Sequence, residues 1–551
     1  MTAAPVASSR AGVPATLSAL LAHRASTAPE RTALICGPRT LTFGEWYERA
    51  EALAAGLRSR GLEPGARVVL RYGSGDWTAY AVAFCGVLRA GLVAVPLSDR
   101  QPPAVAAHVL ADSGASALLH PAGAHLPPGV LPTGVWAASD AEIGAEGAET
   151  ETEGAETETE GAETETEGAE TEPEGAARAA VTEAAEGAAR AAVLRAPDPA
   201  SLAQILYTSG TTGTPKGVTA VHTNLAHGCT LDERRRPLRH SRHFLHAFPV
   251  GTNAGQTMLV NALDSAATAV AAPQFTPGRF ARLIEEYEAG SVFLVPSMAI
   301  ELLGSDSARR YATDSVRLVG STAAALPQPV ALGLTRAFPN AQVVNYYTST
   351  EAAPAQLTLL FDPERPDSPG RPASPHGLRI TTPDGAPLPA GEPGEVWLRT
   401  PAAPRAYLEP AGGGERSGAE VFQGRWVRMG DLGMLDEEGY LHLLDRERDV
   451  IKSGAYKVST IQVEDALHAH PAIVDAAALG VPHPVLGSVV AAVVVVRDEL
   501  TAPALRTFLL DRLAPHELPA RLLFRPSLPR NGGGKILKRE LRLLLDDEAL
   551  R

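Results

Sequence analysis

Short apolar runs and amphipathic stretches alternate along the first part of the chain. Residues 41–98 predict strand, helix, strand, helix and strand: AEALAAGLRSRG has apolar residues at helical spacing and ends at Gly61, and RVVLRY follows as a buried strand. The alternation continues to about residue 445, in runs such as SVFLVPS, VRLVGS and AQVVNYY. This pattern is typical of a layered α/β domain with a mostly parallel sheet. Ligands bind at the carboxyl ends of such strands, so we predict that Gly320 and Ser321 line a substrate pocket.

A second, smaller unit begins near residue 450. VEDALHAHPAIVDAAALGV and VVAAVVVV predict a helix and a strand, and LRTFLLDRL predicts another helix. The charged segment DRERDV lies between the two units, and we expect it to be an unburied domain junction. We therefore predict an α/β protein with a large layered N-terminal domain at 1–447 and a smaller, mobile α+β lid domain at 448–551.

An acidic repeat interrupts the large domain. Residues 142–174 contain 14 Glu and no basic residue, and the unit GAETETE begins at Gly147 and recurs every seven residues. A coiled coil is excluded because the repeat has no aliphatic residue beyond Ala and every unit contains Gly. We predict that residues 141–193 form a disordered, self-repelling insertion, a loop expansion rather than a binding module.

Charge and cysteine content exclude several classes of partner. Of the 63 acidic residues, 49 lie outside the acidic repeat, and they balance the 49 basic residues. We therefore expect neither a nucleic-acid nor a membrane partner. Cys36, Cys85 and Cys229 are too few and too scattered for a disulfide framework or a metal cluster, which favours a cytoplasmic protein. We identify no signal peptide and no transmembrane helix.

Only five of the 49 basic residues are Lys, and they fall in three short polar segments. A compact ammonium differs chemically from a planar guanidinium, so these positions are candidates for chemistry that Arg cannot perform. The five are Lys216, Lys452, Lys457, Lys535 and Lys538. For Lys457 and Lys538, as for His468 and His470, we favour surface or capping roles.

The segment ILYTSGTTGTPKGV, from Ile205 to Val218, carries the most specific chemical signal. An apolar strand runs into a loop of small and hydroxylated residues, whose amides and hydroxyls can surround a polyphosphate, and Lys216 adds a flexible positive charge. The loop is not a Walker A motif, because Pro215 precedes Lys216 and Gly217 follows it. An ordinary P-loop NTPase is therefore disfavoured.

This segment resembles the phosphate-binding signature of the adenylate-forming superfamily, which includes acyl-CoA synthetases, adenylation domains of peptide synthetases, and luciferases. The resemblance covers nearly the whole chain apart from the insertion. In NYYTSTE it implies that Tyr347 stacks on adenine, Thr350 contacts phosphate and Glu351 holds Mg²⁺. It also implies nucleotide contacts from the phosphate loop, namely Thr208, Ser209, Gly210, Thr211, Thr212 and Gly213.

The later motifs appear in the order that the resemblance requires. In WVRMGDLG it implies that Asp431 binds the ribose hydroxyls, and in DRERDVIKSGAYKVS that Arg446 reaches the nucleotide. Arg448 occupies the hinge position. Lys535 in PRNGGGKILKREL is implied to contact the substrate carboxylate and the α-phosphate. After rotation of the lid about the hinge, the channel for the thiol acceptor is implied to be lined by Lys452, Gly454 and Ala455.

The implied reaction is ATP-dependent acid activation. A carboxylate attacks the α-phosphate, so catalysis must come from cations: Mg²⁺ on Glu351, Lys216 at the departing phosphates and Lys535 at the attacked centre. The acyl-AMP is then transferred to coenzyme A, which makes ATP, Mg²⁺ and CoA the expected cofactors. A separate carrier protein is an alternative acceptor, and an acyl-adenylate-binding protein without turnover is a further alternative. The expected state is a monomer or a homodimer.

The segment FLHAFPVGTNAGQ addresses the choice of acid. It has no acidic residue between Phe244 and Gln256, so a buried α-ammonium would be unpaired and amino acids are disfavoured. Small residues leave room and apolar residues line it, which favours an aromatic or another bulky acid. The predicted pocket residues here are Ala247, Phe248, Val250 and Gly251.

Three positions depart from the superfamily pattern. Thr348 replaces a Gly and should narrow the acyl pocket, and Ala455 replaces a Gly of the acceptor loop. The run Gly532–Gly534 should make the loop before Lys535 costly to order. From these departures we derive the hypothesis that adenylation is weak and that thioester formation from a supplied acyl-adenylate is the better half-reaction.

Overall fold

A computed structural model describes residues 12–124, 126, 130–145, 195–208, 215–373, 377–409 and 418–549. The chain divides into two compact units. The first comprises Met1–Arg236, Leu259–Ser265 and Tyr407–Arg416, and the second comprises Pro237–Met258, Ala266–Ala406 and Ser417–Arg551.

The first unit is built on a largely parallel sheet of order β8-β7-β4-β3-β5-β6, in which only the β7–β8 pair is antiparallel. Its strands are β3 (Arg67–Tyr72), β4 (Val93–Ser98), β5 (Ala117–His120), β6 (Trp136–Ser139), β7 (Leu202–Thr208) and β8 (Lys216–Val221). An antiparallel hairpin pairs β1 (Thr32–Cys36) with β2 (Arg39–Thr42). The helices are α1 (Leu17–Thr27), α2 (Phe43–Ser59), α3 (Trp77–Arg89), α4 (Pro103–Ser113) and α5 (His222–Leu225), with a 3₁₀ turn at Glu233–Arg235.

The predicted order of elements at 41–98 is confirmed. A capping box between Thr42 and Glu45 begins α2, and Gly61, with φ +79°, follows its end. The strand β3 is buried along almost its whole length, as RVVLRY predicted. These elements form the hydrophobic core of the first unit.

The ordered fold extends past the predicted start of the acidic insertion. Residues 140–145 are helical, and Ile143 is fully buried beside Gly56 of α2. A Cβ built on Gly56 would lie 2.1 Å from the carbonyl oxygen of Ile143. Residues 141–145 of the predicted insertion are therefore helical, and the rest of that predicted segment, residues 146–193, lies outside the described residues.

The second unit contains three sheets. The first has the order β15-β14-β13-β12-β11-β9-β10, with parallel pairing from β13 to β10. Its strands are β9 (His243–His246), β10 (Thr268–Ala271), β11 (Ser291–Leu294), β12 (Leu318–Ser321), β13 (Gln342–Tyr347), β14 (Leu357–Leu360) and β15 (Arg371–Pro372). Its helices are α6 (Asn253–Asp264), α7 (Pro277–Glu286), α8 (Pro296–Gly304), α9 (Ser307–Arg310) and α10 (Gln328–Ala337).

The other two sheets of this unit follow in the chain. One has the order β16-β17-β20-β19, with β21 beside β20: β16 (Leu378–Thr381), β17 (Gly394–Arg399), β19 (Phe422–Gln423), β20 (Trp426–Leu435) and β21 (Leu441–Arg446). The short strand β18 (Ala406–Tyr407) lies between β17 and β19 in the chain. The last sheet has the order β23-β22-β25-β24, with β26 beside β25: β22 (Ile451–Ser453), β23 (Tyr456–Val458), β24 (Ile473–His483), β25 (Gly487–Val496) and β26 (Arg521–Phe524).

The C-terminal sheet has its own helices, α11 (Thr460–His468), α12 (Ala502–Leu510) and α13 (Lys538–Ala549), and its own apolar clusters. The predicted fold class, an α/β protein with a smaller C-terminal α+β part, is confirmed. Among the described helices, none combines the length and the hydrophobicity that crossing a bilayer would require.

One prediction about a charged residue near this part of the chain is wrong. Asp445, in the segment expected to be unburied, is only 3% exposed. Its carboxylate accepts hydrogen bonds from the backbone amide and hydroxyl of Thr460, at 2.6 and 3.1 Å, and so caps α11. Lys538 is partly buried: its Nζ lies 3.1 Å from the Glu464 carboxylate and donates to the hydroxyl of Thr460, the first residue of α11. His470 does act as a cap, since its Nδ1 accepts from the amide of Ala472.

A buried arginine joins distant segments of the first unit. Arg24 of α1 is fully buried, and its guanidinium donates to the backbone carbonyls of Thr230 and Leu263. It also forms ion pairs with Glu233 at 2.7 Å and Asp264 at 3.3 Å. Removing such a cation leaves buried acceptors without a donor.

We predict that Arg24→Met lowers the free energy of unfolding of this unit by about 3–5 kcal/mol. The matched control is Arg39→Met, since Arg39 pairs with Asp76 at 3.5 Å through a side chain that is 59% exposed, and its loss should change stability by less than about 0.5 kcal/mol. Urea unfolding followed by circular dichroism measures both variants. Equal shifts in the two midpoints would contradict the prediction.

Candidate active site

The end of β7 and the start of β8 fix the two ends of the phosphate-loop motif. Thr208 and Lys216 are register partners in this antiparallel pair, and a ring nitrogen of His108 in α4 donates to the carbonyl of Pro215 at 3.1 Å. The ammonium of Lys216 lies 5.1 Å from the centre of the Tyr407 ring, a contact that the motif did not predict. The residues between them, including Ser209, Gly210, Thr211, Thr212 and Gly213, lie outside the described residues.

In the second unit, three residues of the predicted nucleotide site lie together. The hydroxyl of Tyr347, at the end of β13, donates to Oδ2 of Asp431 in β20 at 2.6 Å. Asp431 and Arg446 are register partners of β20 and β21, and the Arg446 Nε lies 3.6 Å from the Asp431 Oδ1. Burial, reinforced by Asp431, raises the pKa of Tyr347 well above its usual value, so its hydroxyl stays a donor. Each Asp431 oxygen retains a lone pair for a further hydroxyl donor.

Lys535 lies in the electrostatic field of the same residues. Burial, together with the positive charges of Arg446 and Arg448, lowers the pKa of its ammonium to about 8, while Asp449 and Asp431 oppose the shift. Arg448, the predicted hinge residue, is partly exposed and has its Nε 3.9 Å from Asp449 Oδ1. Lys535 thus interacts electrostatically with Asp431 and Arg446. We call Tyr347, Asp431 and Arg446 the Asp431 cluster.

Sequence analysis missed a buried cation beside Thr350 and Glu351. Arg405 is 7% exposed and donates to the Thr350 carbonyl at 3.1 Å. Burial lowers its pKa to about 10, against the opposing charge of Glu351. Its Nε has no hydrogen-bond partner in the part of the chain that the structure describes. Arg405 lies outside every recognised motif, so only its contacts reveal it.

The predicted Mg²⁺ ligand can be tested against the available donors. Across the described ranges, no group of three or more His, Cys, Asp or Glu side chains could hold a metal by itself. A single carboxylate nevertheless fits Mg²⁺ in a nucleotide site, because this ion usually binds one or two carboxylates, substrate phosphates and water. Glu351 supplies such a carboxylate next to the predicted phosphate contact Thr350.

The predicted acyl pocket collects residues from strand ends of the first sheet of the second unit. Ala247, Phe248 and Val250 are buried and Gly251 is partly buried, after the end of β9. At the end of β12, a Cβ on Gly320 would lie 2.6 Å from Cε2 of Tyr346 and 2.8 Å from Cδ1 of Phe293. Neither aromatic ring was predicted, and their planes are tilted by 31° with the ring centres 6.1 Å apart. Gly320 is therefore required for the rings to approach this closely.

Two of the predicted pocket residues, Thr348 and Ser321, carry hydroxyls. The Thr348 hydroxyl donates to the Ala355 carbonyl at 2.6 Å and so is fixed on the backbone. The Ser321 hydroxyl is buried and has no partner among the described residues. His246, which sequence analysis missed, lies between Phe244 and Phe248, and burial lowers its pKa to about 3, so it is neutral.

The predicted acceptor loop is the exposed turn between β22 and β23. Lys452, Gly454 and Ala455 are exposed, and Gly454 adopts φ +60° while its amide donates to the Leu486 carbonyl at 2.9 Å. Ala455 does not have a positive φ, so its methyl is compatible with the turn. No hydrogen bond or ion pair between described residues joins this loop to the Asp431 cluster.

Comparison with known proteins places these residues in a family. Residues 21–408 match the AMP-binding enzyme model, and residues 462–535 match the AMP-binding enzyme C-terminal domain. A feruloyl-CoA synthase from Amycolatopsis sp is 31% identical over 528 residues, which cover 94% of this chain and 97% of that protein. A 2-succinylbenzoate–CoA ligase from Bacillus cereus (strain Q1) is 31% identical over 347 residues, 62% of this chain and 70% of the relative.

Solved structures support the fold. The o-succinylbenzoate CoA synthetase of Bacillus subtilis, in complex with its acyl-adenylate, has a TM-score of 0.73 at 24% identity, covering 95% of this chain and 97% of its own. A benzoate CoA ligase from Burkholderia xenovorans LB400 also has a TM-score of 0.73, at 23% identity, with 96% and 99% coverage. Together with the family match, these findings confirm the resemblance drawn from the motifs, and the chain belongs to the AMP-binding enzyme family.

Proposed function

We propose that this protein is an ATP-dependent, AMP-forming ligase that joins an aromatic or similarly bulky carboxylic acid to coenzyme A. The observation that carries this proposal is the Asp431 cluster, in which the side chains of Tyr347 and Arg446 lie beside Asp431 and with which Lys535 interacts electrostatically. The names of the relatives, a feruloyl-CoA synthase and a 2-succinylbenzoate–CoA ligase, support an aryl acid as substrate.

The first half-reaction joins two anions. A carboxylate oxygen of the acid attacks the α-phosphorus of ATP, the P–O bond to pyrophosphate breaks, and acyl-AMP forms. Lys535 provides positive charge at the attacked centre and Lys216 provides it at the departing phosphates. Mg²⁺, held by Glu351 and the nucleotide phosphates, would neutralise charge on the leaving pyrophosphate. Tyr347, Asp431 and Arg446 orient the nucleoside.

The second half-reaction transfers the acyl group to the thiol. The thiol sulfur attacks the acyl carbonyl, the bond to AMP breaks, and a thioester forms. We assign the acceptor path to the exposed loop with Lys452, Gly454 and Ala455. A carrier protein remains the second candidate acceptor, because Val485 and Tyr456 beside this loop are 83% and 56% exposed and could contact a protein surface.

The pocket composition supports an uncharged, flat acyl group. Tyr346 and Phe293 supply aromatic surface, and neutral His246 supplies no charge that could pair with an α-ammonium. We retain the proposals of a cytoplasmic location, to which the three free and buried cysteines are suited, and of a lid domain beginning at residue 448. A monomer or a homodimer remains the proposed state.

The first prediction concerns the substrate. With ATP, Mg²⁺ and hydroxylamine, hydroxycinnamic and benzoic acids should release pyrophosphate and form hydroxamates at least tenfold faster than α-amino acids, since an unpaired buried ammonium is strongly disfavoured. Replacing hydroxylamine by CoA should yield the aryl-CoA. A clear preference for amino acids, or no pyrophosphate release with any aryl acid, would refute the proposal.

The second prediction concerns the pocket wall. Gly320→Ala forces the Tyr346 and Phe293 rings to move, so we expect kcat/KM for the aryl acid to fall about tenfold while KM for ATP stays unchanged. Gly304→Ala, which adds a methyl in open space in the same unit, is the control and should leave both constants unchanged. If Gly320→Ala raised KM for ATP instead, the pocket assignment would be wrong.

The third prediction concerns the titration of Lys535. Because burial lowers its pKa, the ammonium form predominates only below about pH 8, and kcat/KM for adenylation should fall as pH rises through about 8. With only five lysines in the chain, ¹³C-methylation gives a spectrum simple enough to assign. The signal absent from Lys535→Arg should titrate near pH 8, and a titration near the usual 10.5 would contradict the account.

A further inference from the structure

The loop that carries Lys535 closes on one side chain, that of Asn531. Its Oδ1 accepts hydrogen bonds from the backbone amides of Gly533 and Lys535, both at 3.0 Å. Its backbone amide donates to the Lys535 carbonyl at 2.9 Å, and its carbonyl accepts from Gly534 at 2.9 Å. Asn531 therefore takes part in four hydrogen bonds within residues 531–535.

The preceding residue fixes this segment to the C-terminal sheet. Arg530 donates one guanidinium nitrogen to the Gly534 carbonyl at 2.7 Å and another to the Asp475 carboxylate of β24 at 2.5 Å. Both side chains of this ion pair are mostly buried, with 21% and 15% exposure. A charge-assisted pair of this kind gives the base of the loop a fixed position.

The three glycines have different roles. Gly534 has φ +82°, and a Cβ there would lie 2.9 Å from Cγ2 of Val295 and 3.0 Å from Oγ of Ser297, at the start of α8. Gly532 has an ordinary φ, is exposed and has open space around it. Gly534 is therefore required for docking, whereas Gly532 is not.

We propose that Asn531 is a positioning residue for acyl-AMP formation: it holds the segment 530–536 in the conformation in which Gly534 packs on Val295 and Ser297 and Lys535 reaches the Asp431 cluster. This inference rests on the proposed role of Lys535. It replaces the expectation that the glycine run leaves the loop costly to order, because the hydrogen bonds to Asn531 offset the entropy of ordering.

The effect should be confined to one half-reaction. Lys535 acts where the carboxylate attacks the α-phosphate, and transfer from a supplied acyl-AMP to CoA does not require that charge. Asn531→Ala removes the acceptor of two amides, so the loop adopts other conformations and the fraction of molecules with Lys535 in place falls. Asn531→Asp keeps an oxygen that can accept from the same two amides, so the loop should keep its conformation.

The test measures both half-reactions for five variants. ATP–pyrophosphate exchange reports adenylation, and CoA-dependent thioester formation from added acyl-AMP reports transfer. We expect Asn531→Ala and Gly534→Ala to lower exchange about tenfold or more through kcat, with transfer changed less than about twofold. Asn531→Asp and the matched control Gly532→Ala should keep exchange within about threefold of the unmodified protein. Lys535→Ala gives the exchange rate that remains when the Lys535 ammonium is removed, against which the other variants are compared.

The outcomes separate the inference from the function on which it rests. If Lys535→Ala retains exchange, the proposed role of Lys535 is wrong. If Lys535→Ala abolishes exchange but Asn531→Ala does not lower it, the positioning role alone is wrong. If Asn531→Ala lowers exchange and transfer equally, together with the melting temperature, Asn531 is a general structural residue and the inference is overturned.

Discussion

The concentration of positive charge around Asp431 is the constraint on which the rest of the site depends. Lys535 shares this partly buried region with Arg446 and Arg448, and the two guanidiniums add to the effect of burial in lowering its pKa. The negative charges of Asp431 and Asp449 offset this lowering of the Lys535 pKa only in part. Positive side chains that repel one another at short range favour the binding of an anion between them, and the phosphates of a nucleotide would supply that anion. The same arrangement explains how a carboxylate can approach a phosphate.

The fold supplies this charge from separate elements and holds each one firmly. Antiparallel pairing of β20 with β21 sets Asp431 opposite Arg446, and β13 delivers Tyr347 to the same carboxylate. Lys535 comes from a loop of the C-terminal part that packs on the start of α8. The C-terminal part makes a second contact with the first sheet's helices: the Asp465 carboxylate of α11 accepts a hydrogen bond from the backbone amide of Gln328, at the start of α10. Burial raises the pKa of Asp465 to about 7.

Sequence motifs predicted the residues to which we assign the chemistry, because those residues lie in short, contiguous segments. The fold class, the family and the grouping of Tyr347, Asp431, Arg446 and Lys535 could all be anticipated in this way. Arg405 and Phe293 could not, since each acts through neighbours that are distant in sequence. His246 could not either, because its neutral state depends on burial in the folded protein. Asp445 shows the same limit: it lies in a charged segment that we expected to be unburied, but it is buried and caps the helix that begins at Thr460.

The glycine run before Lys535 shows why local propensity alone is misleading. Its three residues look equally flexible in the sequence, yet Gly534 is the one whose backbone conformation and close packing exclude a side chain. Asn531, two residues before Gly533, supplies the order that the glycines lack. Propensity describes the unfolded chain well, whereas the loop is determined by hydrogen bonds that form only in the folded state.

The central claim is that Lys535 and the Asp431 cluster surround one nucleotide as the acid is activated. A crystal structure with a non-hydrolysable acyl-sulfamoyl adenosine tests it most directly. We predict the adenine beside Tyr347, the ribose hydroxyls on Asp431, and the Lys535 ammonium within hydrogen-bond distance of the sulfamate that replaces the α-phosphate. An analogue bound away from Asp431, or bound there with Lys535 turned towards solvent, would contradict the account.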